Sequence, residues 1–135
     1  VLASVEARDD PDLLEELIPT AFSSNPGIKG IYSSAAGNEG LIRYLRRMNL
    51  SDEIVVIAHE LTPVSRHALN LGVFDAIISQ DSGHLVRSAV RILRAQCDNT
   101  PVNAAQERIR IDIYLKENLP PEGGPDINPN TRGSL

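Results

Sequence analysis

Cysteine occurs once in the 135 residues, as Cys97, so no disulfide framework within the chain can hold this protein together. That scarcity fits a reducing compartment, and a cytoplasmic location is the expectation. No stretch approaches the roughly 18 consecutive apolar residues of a membrane span, and no charged-then-apolar leader with a small-residue cleavage site opens the sequence. Neither membrane insertion nor export is therefore visible. Positive charge is also in short supply: 13 Lys and Arg stand against 18 Asp and Glu, for a net charge of −5. A surface of that sign repels a phosphate backbone, so the chain by itself is not expected to bind DNA. Gly37, Asn38 and Gly40 imitate a phosphate-cradling loop, but the G-x-G-x-x-G spacing and the lysine-serine ending are missing, which argues against a nucleotide.

With 41% hydrophobic and 23% charged residues the composition is that of an ordinary globular domain, and the length suits one core. Short apolar runs alternate with amphipathic segments, the pattern of β-α-β units in a parallel sheet. Val1–Glu6 reads as a first strand; Asp9, Asp10 and Pro11 then open a helix to about Phe22, with Leu13, Leu14, Leu17, Ile18, Ala21 and Phe22 on one stripe. Ile28–Tyr32 is a second strand, followed by a helix with Leu41, Ile42, Leu45 and Met48 inward and Arg43, Arg46 and Arg47 toward water. Ile54–Ala58 is almost wholly apolar, as a central strand covered on both faces should be. Thr62 and Pro63 start a helix ending near Gly72. Phe74–Ser79 is a fourth strand, and Asp81 and Ser82 introduce a helix whose apolar face is Leu85, Val86, Ala89, Val90 and Leu93. In a fifth strand Ile109, Ile111, Ile113 and Leu115 alternate with Arg108, Arg110, Asp112 and Tyr114, which predicts one exposed side. The fold class is α/β with one domain over residues 1–120 and an irregular Pro, Gly, Asn and Asp-rich tail over 121–135.

In an open parallel sheet, ligands bind outside the carboxyl ends of the strands. Candidate residues there are Glu6, Arg8 and Asp9 after the first strand, Ser33 and Ser34 after the second, His59 and Glu60 after the third, and Gln80 and Asp81 after the fourth. Mixed donors and acceptors of this kind suit a polyhydroxyl ligand. Several have a plainer role available: Asp81 and Thr62 as helix caps, Glu60 and Asp9 as first-turn carboxylates favoured by the helix dipole. Catalysis has little to stand on. Cys97 ends a helix, His67 and His84 lie inside helices, and no order of elements brings them together as a nucleophilic pair or metal site. A phospho-acceptor receiver would need an aspartate after the third strand, where His59 stands, although Asp9, Asp10 and Lys116 imitate its other acidic and basic positions.

At Ile31–Gly40 (IYSSAAGNEG), Val55–Arg66 (VVIAHELTPVSR) and Asp75–Gly83 (DAIISQDSG) the sequence resembles the carboxyl-terminal lobe of LacI-family transcriptional regulators and the related periplasmic sugar-binding proteins. The similarity runs from about Val1 to Pro120, including the opening VEARDDP and the closing IDIYLKENLP. It implies a three-layer sandwich with a mainly parallel sheet, one lobe of a type I periplasmic-binding-protein-like fold. In that family an asparagine usually follows the second strand, an aspartate often follows the third and a glutamine commonly follows the fourth. Here those positions are Ser33, His59 and Gln80, so only the glutamine is kept. The strand-tip positions and the resemblance together give an expected ligand-binding wall of Arg8, Ser33, Ser34, His59, Glu60, Gln80 and Asp81, and no metal, cofactor or catalytic residue is expected.

The HELTP run resembles a subset of regulators, and the leading expectation is the effector-binding lobe of a cytoplasmic regulator. Its partners would be a small sugar-like effector, a second copy in a homodimer, and operator DNA held by a helix-turn-helix headpiece not contained in this chain; no membrane is involved. A lobe without its companion would leave apolar surface exposed. The first alternative is a periplasmic sugar-binding protein of a transport system; the second, of another class, is a flavodoxin-like enzyme or receiver.

Overall fold

The computed structural model describes residues 1–34 and 36–121. All of the expected tail except Pro121 therefore lies outside the described residues.

Helix starts follow the sequence signals closely. Helix α1 spans Pro11–Ser24, and the Asp10 side chain caps it by accepting from the amides of Asp12 at 2.9 Å and Leu13 at 3.1 Å. Pro11 sits where a helix has no use for an amide hydrogen. Strand β1 is Gly30–Ser33 and helix α2 is Asn38–Arg47. Strand β2, Val55–His59, leads to helix α3, Pro63–Asn70, where Thr62 accepts from the Ser65 amide at 3.1 Å and the Thr62 amide donates to Ser65 Oγ at 2.9 Å. Strand β3 is Ala76–Gln80; helix α4, Ser82–Cys97, is capped by Asp81, which accepts from the His84 amide at 2.8 Å. Strand β4 is Ile111–Tyr114, a shorter piece than the alternation over 108–115 predicts.

The sheet runs β1-β2-β3-β4. The first three strands are parallel, with Ser33 opposite Ala58 and His59 opposite Ile78; β4 is antiparallel to β3, with Gln80 opposite Ile111. Right-handed crossovers that always advance in one direction put their helices on one face of the sheet. The core agrees: Ile18 from α1, Leu41, Tyr44 and Leu45 from α2, and Ala68 and Leu69 from α3 join Val56, Ala58 and Ile77 in one buried cluster. Phe74, 1% exposed, fills its centre beside them. Helices α1 and α2 meet at Gly40, where a Cβ atom would come 1.9 Å from the Pro11 carbonyl oxygen. Arg43 clamps the same contact, at 2.5 Å from Asp12 and 2.6 Å from Glu15, and Arg47 also pairs with Glu15. These guanidinium bonds, Arg43's first, hold the Glu15 carboxyl below its usual range against the opposing effect of burial.

The structure departs from the sequence expectations beside β1, on the face of the sheet turned away from α1–α3, along α4, and at Met48, expected inward but 52% exposed. Val1–Glu6 is in no strand; its residues are exposed and unpaired beside β1. Strand β2 is not covered on both faces, since Val56 is fully buried but Val55 is 54% exposed. In β4 the expected inward set is reversed: Tyr114 packs against the core, while Ile111 and Ile113 are exposed. The register explains this, because Ile113 lies opposite Ile78, which lies opposite His59, in the set that turns away from α1–α3. Helix α4 adds nothing to the core, and Val86, Val90 and Leu93 on its apolar face are all exposed. Its firmest tie is to the segment before β4, where Arg91 forms a paired bond with Glu107, each arm 2.8 Å. Apolar surface is thus exposed on β2 and β4 of that face, along α4, and at Met48 and Leu71 just beyond α2 and α3.

Candidate functional site

Parallel pairing brings the carboxyl ends of β1, β2 and β3 to one edge. Neighbouring strands are about 4.8 Å apart, so side chains on three adjacent tips lie within roughly 10 Å of each other, the span of a small molecule. Ser33, His59 and Gln80 are the residues closing these strands. Sequence reasoning placed all three correctly at the tips.

Their partners differ from what the sequence suggests. The Ser33 hydroxyl donates to Asn38 Oδ1 at 2.7 Å, and Asn38 is buried at the start of α2. An asparagine does stand at this tip, but it comes from the helix that follows the strand. Helix α2 begins at Gly37, whose φ of 88° belongs to the left-handed region that favours glycine, and this turn is what delivers Asn38 beneath Ser33. His59 is half-buried and its Nε2 shares a hydrogen bond with the Tyr32 hydroxyl; the two rings meet edge to face with centroids 5.3 Å apart. Tyr32 is 59% exposed, so its ring is accessible to solvent. Both Tyr32 and Asn38 escaped the sequence reading. An aromatic directly before a strand tip was the available signal for the first; nothing local marks the second.

Arg8, Ser34, Glu60 and Gln80 are exposed at the same end. Arg8, Asp9 and Glu60 have φ of 51°, 61° and 64°, left-handed values that non-glycine residues adopt at a cost of order 1–3 kcal/mol each. Such conformations persist where the surroundings hold them. Asp9 Oδ1 accepts from the Ala36 amide at 3.0 Å, tying the loop after Val1–Glu6 to the loop after β1, and the Glu60 amide donates to the Ile78 carbonyl at 2.8 Å. Asp9 is therefore a loop brace, and Asp81 and Thr62 are helix caps, each with its side-chain oxygen already engaged. Ser65 Oγ donates to the Glu60 carbonyl at 2.6 Å and so fixes the β2 tip from below. Of the seven expected wall residues, Asp81 is the one whose carboxylate the structure assigns to capping.

The strand tips carry polar groups able to hydrogen-bond a polar ligand and the exposed Tyr32 ring, with the charged side chains of Arg8 and Glu60 at the same end. Among the described residues no group of three or more His, Cys, Asp or Glu could hold a metal ion. No described helix is long and apolar enough to cross a membrane.

The model of the periplasmic binding protein domain family matches residues 1–101. The chain belongs to that family. Solved structures share its fold. The glucose-galactose binding protein GanP from Geobacillus stearothermophilus superposes with a TM-score of 0.75 at 16% identity, over 85% of this chain and 41% of that one. A carbohydrate transporter solute binding protein from Agrobacterium radiobacter, in complex with D-arabinose, gives 0.67 at 18% identity, over 83% and 38%. An ABC transporter periplasmic solute binding protein from Actinobacillus succinogenes, with bound D-allose, gives 0.68 at 17% identity, over 87% and 42%. At these identities the likeness establishes the fold, an α/β lobe with a mostly parallel sheet, and the chain spans about two fifths of each structure's length. No curated protein matches this periplasmic-binding-protein lobe. These neighbours are a sugar-binding protein and two solute-binding proteins of transporters, and none is a LacI-family regulator, so the coarser family is what the likeness supports.

Proposed function

We propose that this chain is one wall of a sugar-binding clamp, with the ligand held between the β1–β3 tips and a second lobe. The observation that carries the reading is the meeting of Tyr32, His59, the Ser33–Asn38 pair and Gln80 at one edge of the sheet. A sugar presents hydroxyls around its rim and a weakly positive C–H surface on its faces. Gln80 and His59 supply donors and acceptors for the rim, and the exposed Tyr32 ring offers its electron-rich face to the C–H surface. Binding rather than catalysis suits the absence of an activated nucleophile or acid–base pair in the described site. Closure of the second lobe would exclude water and couple occupancy to a change of state.

The solved neighbours favour a solute-binding protein that hands its sugar to a transporter, in which case the protein is exported. A second reading rests on the Val55–Arg66 run, VVIAHELTPVSR, whose likeness to regulators favours a cytoplasmic homodimer that acts on operator DNA through a separate headpiece. Either way the tips of β1–β3 hold the ligand.

Calorimetric titration of the native full-length protein with glucose, galactose, D-arabinose and D-allose tests the shared claim. Micromolar or tighter binding of a member of this panel is expected, and heats indistinguishable from dilution throughout would overturn it. The mass and amino-terminal sequence of the same protein separate the two contexts: a helix-turn-helix marks the regulator, a processed leader the transport protein.

A further inference from the structure

Two contacts hold the imidazole of His59. Its Nε2 shares a hydrogen bond with the Tyr32 hydroxyl, and the two rings meet edge to face at 85°. The register makes the meeting possible: Tyr32 lies opposite Ile57, so His59, two residues further along β2, projects from the same face of the sheet. The other ring nitrogen, Nδ1, has no hydrogen-bond partner among the described residues. Because no buried side-chain nitrogen or oxygen among them lacks a partner, Nδ1 is open to solvent.

The bond at Nε2 decides what Nδ1 can do. A neutral imidazole carries a single ring hydrogen, and the nitrogen that bears it is set by the hydrogen bond the other makes. A phenol hydroxyl is a good donor and a poor acceptor, whereas an unprotonated imidazole nitrogen is a good acceptor. The shared hydrogen therefore comes from Tyr32, Nε2 is bare, and the ring hydrogen sits on Nδ1. Without the hydroxyl, neutral histidine favours the opposite arrangement, with its hydrogen on Nε2 and an acceptor at Nδ1. The edge contact with Tyr32 also resists the half-turn of the ring that would exchange the two nitrogens.

We propose that Tyr32 is a positioning residue whose hydroxyl fixes the tautomer of His59, so that the β2 tip presents a hydrogen-bond donor and selects a ligand oxygen that accepts. The inference rests on the sugar-clamp reading and gives Tyr32 a task separate from that of its ring face.

Imidazole nitrogen NMR of the native full-length protein, without ligand, reads the tautomer, with the His59 signals assigned by their loss in His59→Asn. Hydrogen on Nδ1 is expected in the wild type, and a shift toward hydrogen on Nε2 in Tyr32→Phe. Wild type with its hydrogen on Nε2 would overturn the proposal. Calorimetry with glucose, galactose, D-arabinose and D-allose reads the consequence for binding. For a sugar that the wild type binds, Tyr32→Phe, which keeps the ring, is expected to weaken affinity about three- to tenfold. An asparagine in place of His59 has an amide donor near the position of Nδ1 and no tautomer to fix. Tyr32→Phe is therefore expected to cost nothing further in a His59→Asn background. Unchanged affinity in Tyr32→Phe alone, or an equal loss in both backgrounds, would count against the positioning role and overturn it. No heat from the wild type with any of the four sugars would sink the clamp reading, and this inference with it, whatever the tautomer.

Discussion

Val55 and Val56 are neighbours in β2 with the same side chain, yet one is 54% exposed and the other has no exposure. The difference separates the two faces of one sheet. Toward Val56 lie three helices and nearly the whole buried core; toward Val55 lies a surface as apolar in sequence but without a covering layer. An apolar residue stabilises only where something removes it from water, by about 25 cal/mol for each Å² buried. Hydropathy thus records what the sheet is built to bury, and the structure records what this part of the chain does bury.

The largest expected effects lie on the covered face. Phe74→Ala removes a ring that is 1% exposed, and a loss of about 3–5 kcal/mol in urea unfolding is expected. Gly40→Ala is the next test. Alanine gains about 1 kcal/mol of helix propensity over glycine, but its Cβ would lie 1.9 Å from the Pro11 oxygen. The clash must push α1 from α2, so a net loss of at least about 1–3 kcal/mol is expected. A net gain would show that the two helices do not meet so closely.

Helix α4 provides an electrostatic test of the less covered region. The Arg91 guanidinium, with help from the Ser88 hydroxyl, lowers the Glu107 carboxyl from 4.5 to about 2. The depressed value means that the pair stabilises the fold fully above about pH 4.5 and loses that contribution as the pH falls toward 2. Carboxyl NMR titration of Arg91→Gln should show Glu107 moving back up toward 4.5, and an unchanged titration would remove the pair from the account. The smallest effects belong to the exposed apolar positions of α4 and β4: Val90→Thr and Ile113→Thr, at positions 59% exposed, should each change the stability of the 135-residue chain by less than about 0.5 kcal/mol. Losses as large as that of Phe74→Ala would erase the contrast between the faces.

The helix starts were legible because their signals are local. Asp10 before Pro11, Thr62 before Pro63 and Asp81 before Ser82 each announce a cap within three residues of the amide they satisfy. The faces of β4 were not legible in the same way. Alternation states that the two sides differ, but which side is covered depends on α1–α3 all lying on one face, a property of strand order. Val1–Glu6 has the composition of a strand, and a strand exists only beside a partner. At the site, Ser33, His59 and Gln80 could be placed because each ends an apolar run. Tyr32 was missed because its partner His59 is 27 positions away, and Asn38 because its burial beneath Ser33 is created by the left-handed turn at Gly37.

The central claim is that the tips of β1–β3 hold the ligand, and the most direct test is calorimetry on His59→Ala and Gln80→Ala in the full-length protein, with Glu53→Ala at the opposite end of β2 as the control. Loss of one hydrogen bond to ligand is worth about 1–1.5 kcal/mol, or roughly tenfold in affinity. The account predicts at least that weakening for both tip variants and none for the control. Unchanged affinity in both folded tip variants would contradict it and move the binding site elsewhere.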